Sequence, residues 1–397
     1  MLLALCTAFM LSQAYRTVAA MMATQLQSDF GLSPQQLGLF AGAFHFAFGA
    51  MQLFMGIGID LHGVRRTVLS AFPLAIAGSI VCALAPSYSL LLLGQVLVGI
   101  GCAPAFLVCT VFIARRFPPN RFAAVSGLAL GIGGLGLLLT GTPLAWLVHE
   151  RSWRAGFAVL AAGSALAWLA IFCFVRETPP HAHAASRESP WQALRRFGSL
   201  FGQPHTLGIV ALGAVTYASF IALRGLWLGP LLIERYGLSL LQSGNVALAV
   251  SLVGLFGPPV FGRLDPKNAA MRRRWIVALT WVMAGLFVLL AFAPGAWLSI
   301  AVSIVLGFLC GYIVLQYADV RAAYSEALTG RAMAVFTMAM FLGIALMQWI
   351  TGLIASIAKA QGVEPFTAVF LTVAALLAAG AAAFVALPQA HVHAGES

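Results

Sequence analysis

The amino-acid sequence predicts an all-α membrane protein with twelve transmembrane helices in two pseudo-symmetric six-helix bundles. The first observation is composition: 61% of the residues are hydrophobic, 8% are charged and the mean hydropathy is +0.96. Soluble domains carry about 25% charged residues, so this chain belongs in lipid. The second observation is a repeat, because residues 31–38 and 237–244 both read G-L-S-x-x-Q-x-G at a separation of 206 residues.

A helix needs about 20 mostly apolar residues to cross the hydrocarbon core of a bilayer. Twelve stretches meet this requirement, at approximately 1–24, 36–58, 67–87, 89–113, 122–148, 155–175, 206–233, 240–262, 275–294, 297–318, 332–356 and 365–387. The first stretch lacks a basic start and a convincing cleavage site, which favours a spanning helix over a signal peptide.

The longest polar interruption runs from Arg176 to His205 and divides the chain into two halves. We expect a first bundle at 1–178, a cytoplasmic linker at 179–205 with an amphipathic helix around 191–201, a second bundle at 206–387 and a cytoplasmic tail at 388–397. An even number of spans in each half predicts a parallel repeat about an axis along the membrane normal.

The net charge of +11 reflects topology rather than a nucleic-acid partner. With the amino terminus inside, sixteen of the 22 basic residues fall in inner loops and four in outer loops. Inner loops of membrane proteins carry an excess of Lys and Arg. We therefore expect a multi-pass protein of the cell inner membrane with both termini in the cytoplasm.

The sequence contains no pattern that indicates a metal site or a catalytic site. All six cysteines fall within predicted spans and lack metal-ligand spacing, so we expect small buried side chains. We find no nucleophile–base pair and no phosphate loop. The prediction is a protein without enzymatic activity, cofactor or metal, embedded in the bilayer as a monomer.

The loop after the second span carries Gly56, Asp60, Gly63, Arg65 and Arg66 in the spacing G-x-x-x-D-x-x-G-x-R-R. The glycines permit close helix packing, and an aspartate with arginines can form a charge network that locks one conformation. A basic loop that merely sets topology is the alternative. The spacing resembles the signature loop between spans two and three of the major facilitator superfamily, in which the loop acts as a conformational latch.

The resemblance extends over the chain. Residues 153–157 resemble the superfamily's entry to span six, 330–332 resemble the loop before span eleven, and 262–265 followed by 272–274 are a degraded second copy of the latch. Membership would imply a secondary transporter that works by alternating access, as two six-helix halves rock about a central site.

Two arginines, Arg16 and Arg224, lie deep within apolar spans, where a charge costs roughly 2.5–3.5 kcal/mol. Each is about nine residues from the outer end of its span, which is near the midplane. Arg16 shares a helix face with Gln13, and Tyr217 lies two turns before Arg224. Either arginine could alternatively snorkel or cap a broken helix.

Guanidinium groups match carboxylate or phosphate oxygens bidentately. No Asp or Glu lies at mid-depth in any predicted span, so an exogenous anion is the expected partner. The arginine pair in spans one and seven resembles the organophosphate antiporters. That likeness implies an organophosphate or carboxylate clamped by both arginines and carried by exchange or proton symport.

Further polar residues at depth are weaker candidates for the same path. His45 could carry a proton or contact the substrate, and Asn245, Tyr312, Gln316 and Gln348 could line the route or merely bridge helices. In span ten, Asp319 follows Gln316, and Arg321 beside it indicates a salt bridge at the inner mouth.

Two rival functions remain open from the sequence. The first is a drug efflux pump of the same superfamily, although Gln95 stands where such antiporters carry an arginine. The second is a transporter-like sensor or scaffold that moves nothing.

Overall fold

The computed structural model describes residues 1–176, 198, 200–266, 268–324 and 326–388. Most of the expected linker, including its amphipathic helix, and the tail beyond residue 388 lie outside the described residues.

The first half contains six helical spans, of which the first, the fourth and the fifth are interrupted. Span one is Leu2–Tyr15 with Val18–Phe30, spans two and three form Pro34–Leu84, span four is Tyr88–Cys102 with Ala105–Arg116, span five is Pro119–Leu139 with Thr142–Glu150, and span six is Trp153–Phe174. The two helices of span one meet at 43°.

The second half repeats this pattern. Span seven runs over His205–Arg235, span eight over Leu240–Gly254 with Gly257–Arg263, span nine over Ala269–Ala291, span ten over Ala296–Ala323, span eleven over Glu326–Ala360 and span twelve over Pro365–Ala386.

In the part of the chain that the structure describes, ten helices are long and apolar enough to cross a membrane, and the bent pair of span one makes eleven. The twelfth pass is the arm of the Pro34–Leu84 helix that precedes Gly63, where the backbone leaves helical geometry with φ 84°. Only glycine adopts that conformation without strain. The twelve-helix fold predicted from the sequence is confirmed.

The repeated octet has a local structural cause. Gly31 and Gly237 end their helices in the left-handed conformation, with φ of 61° and 69°. Ser33 and Ser239 then begin the next helices, and each hydroxyl accepts a hydrogen bond from a backbone N–H three residues later, at 3.2 Å. The glutamine at that third position returns a bond to the serine N–H, at 2.9 Å in both copies. The octet is thus a duplicated helix-to-helix turn closed by a capping box.

One cysteine departs from expectation. Cys173 is exposed on the surface of span six, whereas the sequence predicted a buried side chain. Its helix is apolar on all sides, so hydropathy does not distinguish the lipid-facing positions from the packed ones.

The two ends of the molecule differ in how tightly the halves meet. We call the end with residues 63–66, 115–116 and 272–274 the basic end, and the end with residues 31–33 and 237–239 the opposite end. At the opposite end, the backbone N–H of Gln35 on span two donates to the Ser356 hydroxyl on span eleven at 2.9 Å. Nearby, Thr142 on span five donates to Asn245 on span eight at 2.7 Å.

The same spans separate toward the basic end. A Cβ atom at Gly352, on span eleven at the opposite end, would lie 2.7 Å from the Pro34 carbonyl oxygen of span two. A Cβ atom at Gly56 on span two or Gly127 on span five, both toward the basic end, would meet nothing within 4 Å. The halves are therefore closed at the opposite end and splay apart toward the basic end.

Replacing Gly352 with leucine should lower the melting temperature of the purified protein by a few degrees. The added side chain would collide with the backbone of span two, and overpacking of this kind costs about 1–3 kcal/mol. Gly285→Leu is the matched control, because a Cβ atom at Gly285 meets nothing within 4 Å. Equal shifts for the two variants would contradict the tight contact between the halves.

Candidate functional site

Irregular backbone from three spans converges at the centre of the molecule. Span one is broken at Arg16 and Thr17, and span five is broken between Leu139 and Thr142. Span seven contains a π-helical turn at Leu223–Trp227, which includes Arg224. A Cβ atom on Gly225 of this turn would lie 2.8 Å from the Arg16 carbonyl oxygen, so spans one and seven approach closely here. Broken helices and π-turns at mid-depth are typical of binding sites in transporters.

Arg224 is completely buried and is bound by both halves of the molecule. Within its own half, Nε donates to the Ala247 carbonyl at 3.2 Å and to the Ser251 hydroxyl at 2.9 Å. Across the interface, Nη2 donates to the Leu137 carbonyl at 3.1 Å and to the Thr140 hydroxyl at 3.4 Å. Only Nη1 has no hydrogen-bond partner.

One of these bonds satisfies a backbone acceptor at the break in span five. The Gly141 N–H donates to the Leu138 carbonyl, so the Leu137 carbonyl loses the partner that a continuous helix would give it. Arg224 replaces that partner from the other half. The Thr140 hydroxyl also donates to Leu137 and lies 2.6 Å from the Thr17 hydroxyl. The breaks in spans one and five are thus joined to each other and to span seven.

Arg16 has a different environment, although it sits at the adjacent break. Its side chain is 7% exposed, and its Cζ lies 5.0 Å from the ring centre of Phe48 on span two and 4.7 Å from that of Phe341 on span eleven. The Tyr217 hydroxyl of span seven lies near the guanidinium. Its buried Nε has no hydrogen-bond partner among the described residues. Because buried polar groups are normally hydrogen-bonded, this guanidinium is a candidate binding group.

His45 faces this guanidinium from span two. Its Nδ1 donates to the Ala41 carbonyl at 3.1 Å, so in the neutral ring Nε2 is an acceptor, and this Nε2 has no partner. The ring stacks on Phe341 at 6.3 Å and lies beside Gln348 of span eleven. The Gln348 amide is buried, and the His45 ring is the polar group beside it.

Span one adds two polar atoms to the same region. Ser12 and Gln13 lie one turn before Arg16. The Ser12 hydroxyl lies beside the Cys102 thiol, and the side-chain amide oxygen of Gln13 is buried without a partner. We call Ser12, Gln13, Arg16, His45 and Gln348 the Arg16 cluster. Its members come from spans one, two and eleven, so both halves contribute to it.

The remaining candidates serve helix packing in this conformation. Tyr312 bonds to the Thr280 hydroxyl at 2.8 Å, and the Gln316 amide oxygen accepts from Thr216 at 3.1 Å. Asn245 bridges the halves through its bond from Thr142. All three thus contact neighbouring helices, and their place on the substrate path stays a prediction.

Asp319 forms the expected salt bridge, and its partner is Arg273. Asp319 accepts from Nε of Arg273 on span nine at 2.9 Å, whereas Arg321 is exposed. Residues two apart on a helix point to different sides, so Asp319 faces the bundle while Arg321 faces outward. Arg272 also binds both carboxylate oxygens of Asp265, at 2.6 and 3.1 Å. The second copy of the loop motif is therefore a formed charge network.

The first copy of the loop is described only in part. Gly63 makes the sharp turn, and Nη2 of Arg65 donates to the Phe172 carbonyl of span six at 3.0 Å. Arg66 is exposed. The side chain of Asp60 lies outside the described residues, so its role as the acceptor of the latch stays a prediction.

Sequence reasoning missed the residues that distinguish the two arginines. Phe48 and Phe341 carried no signal, because phenylalanine is common in every span. Thr140 and Ser251 resembled ordinary small residues in glycine-rich helices. Their significance depends on the helix breaks, which hydropathy does not reveal.

Two six-helix bundles around a polar centre with broken helices define a membrane transporter of the secondary kind. The sequence profile of the Major Facilitator Superfamily matches residues 4–277, and the chain belongs to this family.

Known proteins support the assignment. The hexuronate transporter of Bacillus subtilis is 25% identical over 316 residues, which cover 75% of this chain and 74% of the relative. A probable sulfoacetate transporter of Cupriavidus necator is 22% identical over 66% of this chain and 64% of its own length. A bacterial homologue of the human lysosomal transporter Spinster, solved in an inward-facing and occupied conformation, has a similar fold. Its TM-score is 0.76 at 18% identity, with 97% of this chain and 95% of that chain covered.

Arg224→Met should destabilise the protein more than Arg16→Met. The first change removes donors from buried carbonyls at the break in span five, and we expect a loss of about 2–4 kcal/mol. The second removes a charge that has no acceptor, so its effect should be near zero. Denaturant or thermal unfolding in detergent measures both, and a larger loss for Arg16→Met would contradict the assignment.

Asp319→Asn should cost about 1.5–3 kcal/mol, because it removes the charged acceptor of the hydrogen bond from the partly buried Arg273. The double variant with Arg273→Gln should recover part of this loss, which a double-mutant cycle measures as a coupling energy. Arg321→Gln is the control and should change stability by less than about 0.5 kcal/mol. Additive losses would show that the pair does not interact.

Proposed function

We propose that this transporter carries a small organic anion, which binds at the Arg16 cluster between the two halves. The observation that carries the proposal is the Arg16 guanidinium, which is buried, has an unpartnered Nε and has no carboxylate beside it among the described residues. A charge in a low-dielectric interior is stable only when it is paired or bound by polar groups. An anionic substrate would supply that pairing.

Electrostatic balance within the protein supports an external partner. Asp319 is the single acidic residue among the buried polar side chains of the described part of the chain, and it is paired with Arg273. It is therefore not available to neutralise Arg16. We therefore expect the positive charge of Arg16 to be paired with a negative group from outside the chain.

The relatives point the same way. The names of the two bacterial proteins describe transport of hexuronate and sulfoacetate, which are both organic anions. Their similarity to this chain is low, so they support the anionic class and leave the compound open.

The proposed cycle is alternating access by rocking of the two halves. If both termini lie in the cytoplasm of the inner membrane, the basic end faces inward, and the present conformation is open to the cytoplasm. Gly56, Asp60, Gly63, Arg65 and Arg66 would act as the latch that stabilises one of the two states. Coupling would be by exchange, or by proton symport through the unpartnered Nε2 of His45.

The two-arginine clamp expected from the sequence stays a prediction. In this conformation Arg16 and Arg224 have separate sets of neighbours, and Arg224 already has four acceptor contacts. We therefore assign the first contact with the anion to Arg16.

Arg16→Lys should reduce counterflow of the anion in proteoliposomes at least tenfold. Lysine keeps the charge but loses the planar fork that pairs with carboxylate or phosphate. The substrate for the assay would be selected by thermal shift of the purified protein against glucuronate, gluconate, glycerol 3-phosphate and sulfoacetate.

Arg321→Lys is the matched control, since this exposed arginine lies outside the Arg16 cluster. Unchanged counterflow in Arg16→Lys would remove Arg16 from the site. Transport of ethidium with full tolerance of Arg16→Gln would instead favour a drug efflux pump, and the absence of any counterflow would favour a scaffold.

A further inference from the structure

The first half of the molecule contains an apolar cavity of about 130 Å³ between spans one, four and five, which we call the side pocket. An apolar cavity of similar size, about 150 Å³, stays dry in another protein and binds benzene. The side pocket is therefore large enough for one aromatic ring or a short alkyl group. Its hydrophobic lining consists of Phe9 of span one, Phe106, Cys109 and Ile113 of span four, and Ala129 and Leu130 of span five.

The side pocket lies beside the crevice between the two halves. Gly134 faces the second half, because a Cβ atom there would collide with Leu255 of span eight. Leu130 lies on the same face of span five, one turn nearer the basic end, where the halves splay apart. Its side chain is 47% exposed, and a Cβ atom on the adjacent Gly131 would meet nothing within 4 Å. Leu130 thus forms the wall between the side pocket and the open crevice.

The side pocket and Arg16 lie along the same faces of spans one and four. Phe9 precedes Arg16 by seven residues, which is two turns and about 10 Å along the helix axis. On span four, Phe106 follows Cys102 by one turn, and the Cys102 thiol lies beside Ser12 and near Arg16. The rings of Phe9 and Phe106, whose centres are 5.0 Å apart, form the end of the side pocket nearer Arg16.

The surroundings of Arg16 favour an anion whose remaining part is apolar. The rings of Phe48 and Phe341 pack against the guanidinium and lie 4.2 Å apart. The polar groups of His45 and Gln348 lie against each other. An apolar group that moves from water into the side pocket gains free energy in proportion to the area that it buries. An anion with an apolar body would use both the charge and the side pocket.

We propose that the substrate is an amphipathic organic acid, with its anionic group at Arg16 and an aromatic ring or short alkyl group in the side pocket. The inference rests on the proposed function and names the substrate class. The apolar group would enter past Leu130 from the crevice. Ala129, which is buried at the wall of the side pocket, would set the size of the group that fits.

Calorimetric titration of the purified full-length protein tests the class with matched probes. Phenylacetate, 4-phenylbutyrate and 6-phenylhexanoate carry the charge and a ring at increasing distance. Acetate carries the charge without a ring, 4-phenylbutan-1-ol carries the ring without the charge, and gluconate carries the charge on a hydroxylated body. We expect at least one phenylalkanoate to bind at least tenfold more tightly than acetate, gluconate and the alcohol, because ring burial adds to charge pairing.

Variants identify the two parts of the site, since partition of each probe into detergent is the same for all of them. Ala129→Leu fills the side pocket and should reduce the preference for the best phenylalkanoate over acetate at least fivefold. Ala77→Leu is the matched control, because Ala77 is exposed on span three, and it should leave that preference unchanged. Arg16→Gln should abolish the advantage of the phenylalkanoate over the alcohol. Thermal unfolding establishes that each variant is folded, and Ala129→Val is a smaller substitution at the same position.

The outcomes separate this inference from the proposed function. Equal binding of acetate and the phenylalkanoates, tighter binding of gluconate, or equal effects of Ala129→Leu and Ala77→Leu would overturn the side pocket as a substrate site, while anion transport would stand. If none of the acids binds, or if Arg16→Gln keeps the advantage of the phenylalkanoate over the alcohol, the proposed function itself fails.

Discussion

The whole arrangement depends on satisfying the Arg224 guanidinium where two broken helices and a π-turn meet. A fully buried guanidinium is tolerated because two backbone carbonyls accept its hydrogen bonds. One is Leu137, freed by the break in span five, and the other is Ala247 of span eight. The arginine in turn stabilises a break that would leave the Leu137 carbonyl without its helical partner. Since Leu137 and Ala247 belong to different halves, the same group that repairs the backbone also ties the halves together.

The surroundings of Arg16 differ from those of Arg224. A shift of 206 residues places Arg16 on Ala222 rather than on Arg224, so the two arginines are near-equivalents and not strict symmetry mates. Their surroundings differ accordingly. Arg224 donates to four acceptors of the protein, whereas Arg16 faces two aromatic rings. Under the proposed function, this asymmetry would suit an asymmetric ligand.

The two ends of the molecule use different interactions for a common purpose. At the opposite end, small residues bring the backbones of spans two and eleven into contact across the halves. At the basic end, the charge pairs of Asp319 with Arg273 and of Asp265 with Arg272 lie within the second half. In the proposed rocking, contacts between the halves would break while the second bundle keeps its own ionic network.

The sequence by itself determined the class, because long apolar stretches and paired octets depend only on local composition and spacing. It also identified the residues whose charge costs free energy within the bilayer, since an arginine such as Arg16 in an apolar stretch is visible without coordinates. Tertiary structure alone decided what each charge contacts. The hydrogen bonds of Arg224 depend on a carbonyl that the break in span five exposes. Asp319 pairs with Arg273 rather than with Arg321, two residues away. Such partners are distant in sequence and are selected by helix rotation and packing, which hydropathy does not encode because lipid-facing and core-facing positions are equally apolar.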